Sequence, residues 1–363
     1  MVERTAAIAG LGVAAKTIHL PALRKLPNIK IIGGCDPAAS GHDFHFPVFS
    51  TTLEMLEKLQ PDILIVATPP ASHFELSRLG LLAGCHVICE KPFTDTLEQA
   101  DELIALARKM HRWIVVNNQY RFMNIHRNAK FQIGQPQFGK LLFLTAHQTF
   151  YTDPKTEAGW RGAELRRTGK EFATHVLDLC RFFFDEEPLS ILSRMPKPGR
   201  PDGPDYLNII QLEFTGDRIA HIILDRLSRG RQRYLDIRLD GTVGCVETHL
   251  GGGIEVGVGV RGGTRKPFLQ ADISMGGWAR LYHGESFQKI ASDRLDIFSA
   301  ATSRLIEAFL DALDKGAVPP CHAEDNRRTL ALMLWTYDSN QHEHAEEHNS
   351  HSLNRSRVGI IGQ

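Results

Sequence analysis

The chain has 363 residues, 42% hydrophobic and 23% charged, the balance of a globular protein too long for one typical core. Lys plus Arg and Asp plus Glu both number 42, which removes any net electrostatic reason to expect nucleic acid or an acidic membrane as a partner. No run of about eighteen apolar residues is present, and the opening "MVERTAAIAG" lacks the pattern of a signal peptide, so no membrane span and a cytoplasmic location are expected.

From the first residue to about residue 118, short apolar runs ending in Gly or Asp alternate with helix-like segments. "TAAIAG", "KIIGGCD", "DILIVATPP", "HVICEKP" and "WIVVNN" read as buried strands. "AAKTIHLPALRKL", "HFELSRLGLLAG" and "TLEQADELIALARKMH" read as helices, the second closed by Gly84 at its C-terminal cap. This alternation predicts an open α/β domain with a parallel sheet. One crossover helix is expected to be shortened or lost, because "PAASGHDFHFPVFS" is rich in turn formers. His42 and His45 in that stretch are read as exposed loop residues rather than metal ligands.

After Gln119 and one more helix-like stretch, strands dominate: "KLLFLTAHQTFY", "LNIIQLEFTG", "RIAHIILDRLS", "RYLDIRLDGTVGCVETHL" and "GGIEVGVGV". Their β-branched alternation predicts a mostly antiparallel sheet in a second, α+β domain over residues 119–340. Two helical patterns follow, and residues 341–363 form a polar tail expected to fray. "HAEEH", His344 to His348, fits a zinc-protease pattern but sits in that tail with little chain left for a third ligand, so no metal site is expected. The six cysteines (Cys35, Cys85, Cys89, Cys180, Cys245, Cys321) form no C-x-x-C pair and are read as reduced thiols.

Gly10 and Gly12 follow the first strand, with Ala15 where a third glycine often stands. Such a turn brings the backbone close to a pyrophosphate and aims a helix N-terminus at its charge. The second strand ends at Asp36, placed to accept hydrogen bonds from ribose hydroxyls, and Pro37 follows with no Arg to receive a 2′-phosphate. NAD is therefore expected over NADP. Thr68 and Lys91 end later strands of the same sheet, and ligands of open α/β sheets bind outside those carboxyl ends. Downstream, "GKEFATHVLDLCRFF" has helical periodicity that puts Glu171, His175 and Asp178 near one face.

Taken together, "GLGVAAKTIHLPAL", "CDP", "ATPPASH", "CEKPFTDT", "NNQYRF", "GWRG" and "EFATHVLDL" resemble the Gfo/Idh/MocA family of nicotinamide-dependent oxidoreductases, from Ala6 to about Tyr337. The resemblance implies a Rossmann domain (residues 1–118), then an α+β domain whose large open sheet often joins subunits, giving a homodimer or homotetramer. It implies that Lys91 hydrogen-bonds the reacting oxygen and that His175 takes the hydroxyl proton. Glu171 stands where the family has Asp, one methylene longer. Thr68, Pro69, His73 and Glu90 join Gly10, Gly12, Ala15, Asp36 and Lys91 as cofactor-side residues. Tyr120, Arg121, Trp160, Arg161 and Asp178 are the substrate-side candidates, and the arginine-rich loop "GWRGAELRRTGK" is a candidate for an anionic substrate group. The activity implied is hydride transfer between NAD and a secondary alcohol of a sugar, cyclitol or related polyol. Glycosidic cleavage through transient oxidation, or cofactor binding without catalysis, are the alternatives.

Overall fold

The structure is a computed structural model that describes residues 2–38, 44–153, 156–157, 159–230, 233–251, 253–260, 267–274, 276–284 and 286–358, with side chains left out at residue 233, in the strands between residues 252 and 275, and beyond residue 340. His42 lies outside the described residues.

The N-terminal strands are β1 (Arg4–Ala9), β2 (Ile29–Cys35), β3 (Val48–Phe49), β4 (Ile63–Val66), β5 (His86–Cys89) and β6 (Ile114–Val116). They form one parallel sheet in the order β3-β2-β1-β4-β5-β6. Strand order reverses beside β1, so the carboxyl ends of β1 and β4 flank the crevice where such sheets bind ligands. β4 is buried at every position, as a strand covered on both faces must be.

The helical segment after β1 is a π turn (Ala15–His19) leading into α1 (Leu20–Leu23). Pro21 explains the break, because it lacks the N–H that would bond the carbonyl one turn back. Between Cys35 and Val48 the described residues hold no helix, in keeping with the turn-rich sequence; α2 (Thr52–Leu59) comes only after β3. α2 is capped by Thr51, whose Oγ1 accepts from Glu54 N at 3.3 Å. α3 (His73–Leu82) runs into Gly84, whose φ of +82° ends it. α4 (Leu97–Lys109) is capped by Thr96, which accepts from Gln99 N at 3.3 Å.

α5 (Asn124–Gln132) opens the second half. It is followed by β7 (Leu141–Thr149), the short α6 (Trp160–Ala163), a second π turn (Gly169–Ala173) and α7 (Thr174–Phe184). The remaining strands are β8 (Ser190–Arg194), β9 (Leu207–Phe214), β10 (Arg218–Asp225), β11 (Arg233–Gly241), β12 (Cys245–Leu250), β13 (Gly253–Val260), β14 (Pro267–Ser274), β15 (Gly277–His283) and β16 (Ser286–Asp293). Seven of them join β7 in a sheet of order β16-β15-β12-β11-β7-β10-β9-β8, antiparallel except where β10 meets β7; β13 and β14 pair separately. Alternation puts Leu144, Ala146, Ile210, Leu212, Ile222 and Ile237 on the buried face.

α8 (Ile297–Lys315) lies late in the chain yet packs on the first sheet. Its Leu305, Ile306, Phe309 and Leu310 share one core with Ala6, Ile8, Ile63 and Ile65 of β1 and β4. α9 (Ala323–Val358) carries helical backbone well past residue 340, where fraying was expected. The side chains of the His344 to His348 motif lie outside the described residues.

Phe309 is fully buried among the strands of the first sheet. Phe309→Ala is therefore expected to cost about 3–5 kcal/mol, read as a lowered urea midpoint together with weaker dinucleotide binding at that sheet.

Candidate active site

The segment after the glycine turn (Val13, Ala14, Thr17, Ile18) and the carboxyl ends of β4 and β5 meet the π turn before α7 in a cavity of about 300 Å³. At its cofactor end, Gly10 holds φ at +89°, and a Cβ there would stand 2.7 Å from Ala67 O. No other residue fits that close approach between β1 and β4. Gly12 faces open space, and Ala15 is buried against the sheet. Asp36 is tied to the turn: Oδ2 accepts from Leu11 N at 2.9 Å and Oδ1 from Ala38 N at 2.9 Å. The glycine turn and the acid are thus brought together by the direct hydrogen bond from Leu11.

Thr68 lines the cavity, whereas Pro69 and His73 do not. His73 is buried, with Nδ1 2.8 Å from Pro92 O and Nε2 3.0 Å from Thr68 O. Both ring nitrogens face carbonyl oxygens, which suits a protonated ring. Burial opposes the charge, but the Cys89 sulfur and the two carbonyls outweigh it and raise the pKa to about 9. His73 therefore braces the ends of β4 and β5 against each other.

The Lys91–Pro92 bond is cis, and Lys91 Nζ donates to the backbone carbonyl of Glu171 at 2.6 Å. Burial lowers the lysine's proton affinity, with Arg226 and Arg167 in the same direction and Glu171 and Glu90 opposing. His175 enters from the first turn of α7 and stacks on Tyr120, ring centroids 4.0 Å apart and planes 4° apart. Burial and the Lys91 charge hold its pKa well below the usual range, so its ring is neutral at pH 7. Its Nδ1 has no hydrogen-bond partner among the described residues. Tyr234, from β11, lines the same cavity and sits with its hydroxyl 3.5 Å from that of Tyr120.

Glu171 is not a free acid. Arg167 and Arg226 both bond Oε2, and Arg161 Nε lies 3.3 Å from Oε1. Burial pushes against ionisation, but Arg226, Lys91 and Arg167 bring its pKa down to about 2. The extra methylene of Glu over Asp reaches this clamp. Arg226 is 2% exposed and lies over the rings of Phe172 and Phe150, at 4.4 and 5.0 Å. It follows β10 directly, and strand parity from Leu224 points it inward, the signal in the sequence that marks it.

A residue without a local signature seats this turn. Asp205 accepts from Thr168 N at 2.8 Å, Gly169 N at 3.2 Å and Tyr337 Oη at 2.6 Å. Gly169 has no room for a side chain, since a Cβ would lie 2.0 Å from that tyrosine oxygen.

Two of the substrate-side candidates lie away from the cavity. Arg121 and Asp178 do not line the cavity; they form a buried pair, Arg121 Nε and Nη2 each 2.6 Å from an Asp178 oxygen. Asp325, Asn118 and Thr329 complete this knot, which ties α7 to α9. A desolvated charge needs such partners, so they point at each other rather than at a ligand. Trp160 and Arg161 do line the cavity, stacked on one another at 4.5 Å. The loop cations are also engaged internally: Arg167 by Glu157 and Glu171, Lys170 by Asp95 and Glu164 at 2.8 and 2.7 Å, and Arg166 over the Tyr337 ring. No group of three or more His, Cys, Asp or Glu among the described residues is placed to hold a metal ion.

The depressed pKa of Glu171 sets a stability window. The group contributes fully above its ordinary value of 4.5, and that contribution is lost as pH falls through about 2. Glu171→Gln should flatten the fall in unfolding free energy across that interval and cost about 3 kcal/mol at pH 7, where Arg226 loses its counter-ion. Urea titrations at a series of pH values check both; a variant with the native slope would contradict the clamp.

A profile described as "Oxidoreductase family, NAD-binding Rossmann fold" matches residues 4–118, and one described as "GFO/IDH/MocA C-terminal domain" matches residues 126–247. The D-apiose dehydrogenase of Paraburkholderia graminis is 24% identical over 346 residues, 91% of this chain and 86% of that protein. The D-glucoside 3-dehydrogenase of Escherichia coli is 29% identical over 184 residues, 48% of this chain and 52% of that one. The chain spans about half the length of the first curated relatives it matches. Among solved structures, the aldose-aldose oxidoreductase of Caulobacter crescentus complexed with glycerol shares the fold, with TM-score 0.76 and 19% identity over 94% of this chain and 98% of that one. With both halves matched, the chain belongs to the Gfo/Idh/MocA oxidoreductase family, its first half built on that family's NAD-binding Rossmann fold.

Proposed function

We propose that the protein is an NAD-dependent dehydrogenase or reductase that interconverts a secondary alcohol and a ketone on a sugar, cyclitol or related polyol. The observation that carries this reading is the convergence of Lys91 and His175 in one cavity whose wall also includes Val13 and Ala14, the residues that follow the glycine turn. The dehydrogenase names of the relatives from Paraburkholderia graminis and Escherichia coli support the substrate class. An uncharged substrate also agrees with the loop cations, whose charges are already met inside the protein.

The dinucleotide fits the residues present: Gly10 keeps the backbone close, Gly12 leaves open space, and the Asp36 carboxylate at the end of β2 faces the position of a ribose. That carboxylate, followed by Pro37, disfavours a 2′-phosphate. When bound, NAD supplies the hydride acceptor and donor; the protein supplies geometry and proton transfer. The Lys91 ammonium donates a hydrogen bond to the reacting oxygen once the substrate displaces it from the Glu171 carbonyl. His175, neutral at pH 7, accepts the hydroxyl proton as the carbon is oxidised and returns it in the reverse direction. Glu171 offsets the charge of the arginines around Lys91, so that the ammonium is not driven off its proton. Tyr234 and Trp160 form apolar walls for the faces of a sugar ring.

Purified protein with NAD or NADP and a panel of sugars and cyclitols should develop nicotinamide absorbance with NAD in preference to NADP. Lys91→Ala and His175→Ala should each lower kcat at least about 100-fold while leaving NAD affinity near native. Cleavage of glycosides without net NADH would replace this reading with transient oxidation, and NAD binding with neither activity would leave a sensor.

The outer face of the eight-stranded sheet, where Thr145, His147, His221 and Trp278 border a depression, is proposed as the joint between subunits. Light scattering is expected to give a dimer or tetramer that His221→Glu weakens; a monomer in solution would remove this assignment.

A further inference from the structure

Glu90 precedes Lys91, and its carboxylate is held from inside the Rossmann domain. Oε1 accepts from His19 Nε2 at 2.7 Å and from Asn117 Nδ2 at 2.8 Å, and Asn117 Oδ1 in turn accepts from Thr302 of α8 at 3.2 Å. Oε2 lies 3.3 Å from Lys91 N. His19 is the last residue of the π turn that follows the glycine turn, and it is fully buried. Its Nδ1 has no partner among the described residues, so the proton that matters is the one on Nε2, directed at the carboxylate. The cofactor turn and the lysine are therefore joined through two side chains.

The groups around Lys91 do not weigh equally. Arg167 and Arg226 oppose its charge, and the neutral His175 contributes none. The Glu171 carboxylate is shared by three guanidinium groups. Glu171 is the stronger of the two anions that favour the Lys91 charge and Glu90 the weaker, but Glu90, whose Oε2 lies 3.3 Å from the Lys91 backbone N, is bonded by no arginine or other lysine among the described residues. Two donors also keep it ionised despite burial, holding its pKa down to about 2.

We propose that Glu90, locked by His19 and Asn117, is a positioning residue that keeps Lys91 protonated and couples the dinucleotide turn to it. The proposal takes its consequence from the oxidoreductase reading but not its measurement. In Glu90→Gln the isosteric amide keeps the shape and removes the charge, so Lys91 loses its proton at lower pH. His19→Ala leaves Oε1 with one donor in a buried site, Glu90 ionises less readily, and Lys91 shifts the same way by less. His19→Gln restores an N–H donor and returns the native behaviour.

The test is a ¹⁵N NMR titration of the Lys91 side-chain resonance, assigned with Lys91→Arg, in the full chain without cofactor and again with saturating NAD. Glu90→Gln should weaken the proton affinity about tenfold, His19→Ala less, and His19→Gln not at all. A merely structural role would lower the thermal midpoint without moving this titration. A native titration in Glu90→Gln overturns the proposal; if that variant does not fold, a native titration in His19→Ala overturns it instead. The outcome is separable from the activity: a protein inactive on every polyol but with a shifted Lys91 keeps this inference and loses the redox reading. Turnover with an unmoved Lys91 does the reverse.

Discussion

Lys91 leaves the fifth strand of one sheet and donates at 2.6 Å to the main-chain oxygen of Glu171, which belongs to the turn in front of α7. A buried ammonium needs acceptors and anions in fixed places, because desolvation costs several kcal/mol if they are absent. The π turn supplies the acceptor: five residues in one turn leave the Glu171 carbonyl turned toward the lysine rather than into a regular helical ladder. The position of the turn is set in its turn by Asp205 and by the absence of a side chain at Gly169.

Around that bond the charges are arranged in pairs that restrain one another. Arg226, Arg167 and Arg161 hold Glu171, while Glu157 takes up the remaining donors of Arg167. The Arg121 and Asp178 knot lies behind the cavity and fixes α7 against α9, so it acts on the orientation of His175 without touching a ligand. Tyr120 lies flat against the His175 ring and limits its rotation. The result is a site whose cations are nearly all engaged within the protein.

The fold makes this arrangement rigid at the cofactor end. His73 braces Thr68 against Pro92, and α8 returns from the far end of the chain to cover the first sheet and to hold Asn117 through Thr302. The second half of the chain thereby stabilises the first, and the two sheets are not independent of each other in the energetics of the site.

Features that rest on spacing within one element were legible in the sequence: the glycine turn with Asp36 behind it, the strand ending in Lys91, and the helix carrying His175. Their chemistry follows from which residue stands at the end of a strand or on one face of a helix, and backbone periodicity decides that locally. Asp205, Tyr234 and the His19 to Glu90 contact were not legible, because each joins residues tens of positions apart with no shared pattern, and Arg226 was marked only by strand parity. Arg121, Asp178 and His73 lie off the cavity for the complementary reason. Their residue types and positions matched those of ligand-binding groups, but a buried charge or ring nitrogen is satisfied by whatever partner packing brings within about 3 Å. The sequence by itself thus determined the fold class and the places of Lys91 and His175 at a strand end and on a helix, while only the tertiary structure decided which charges remain available to a ligand, since that depends on long-range pairing in a desolvated interior.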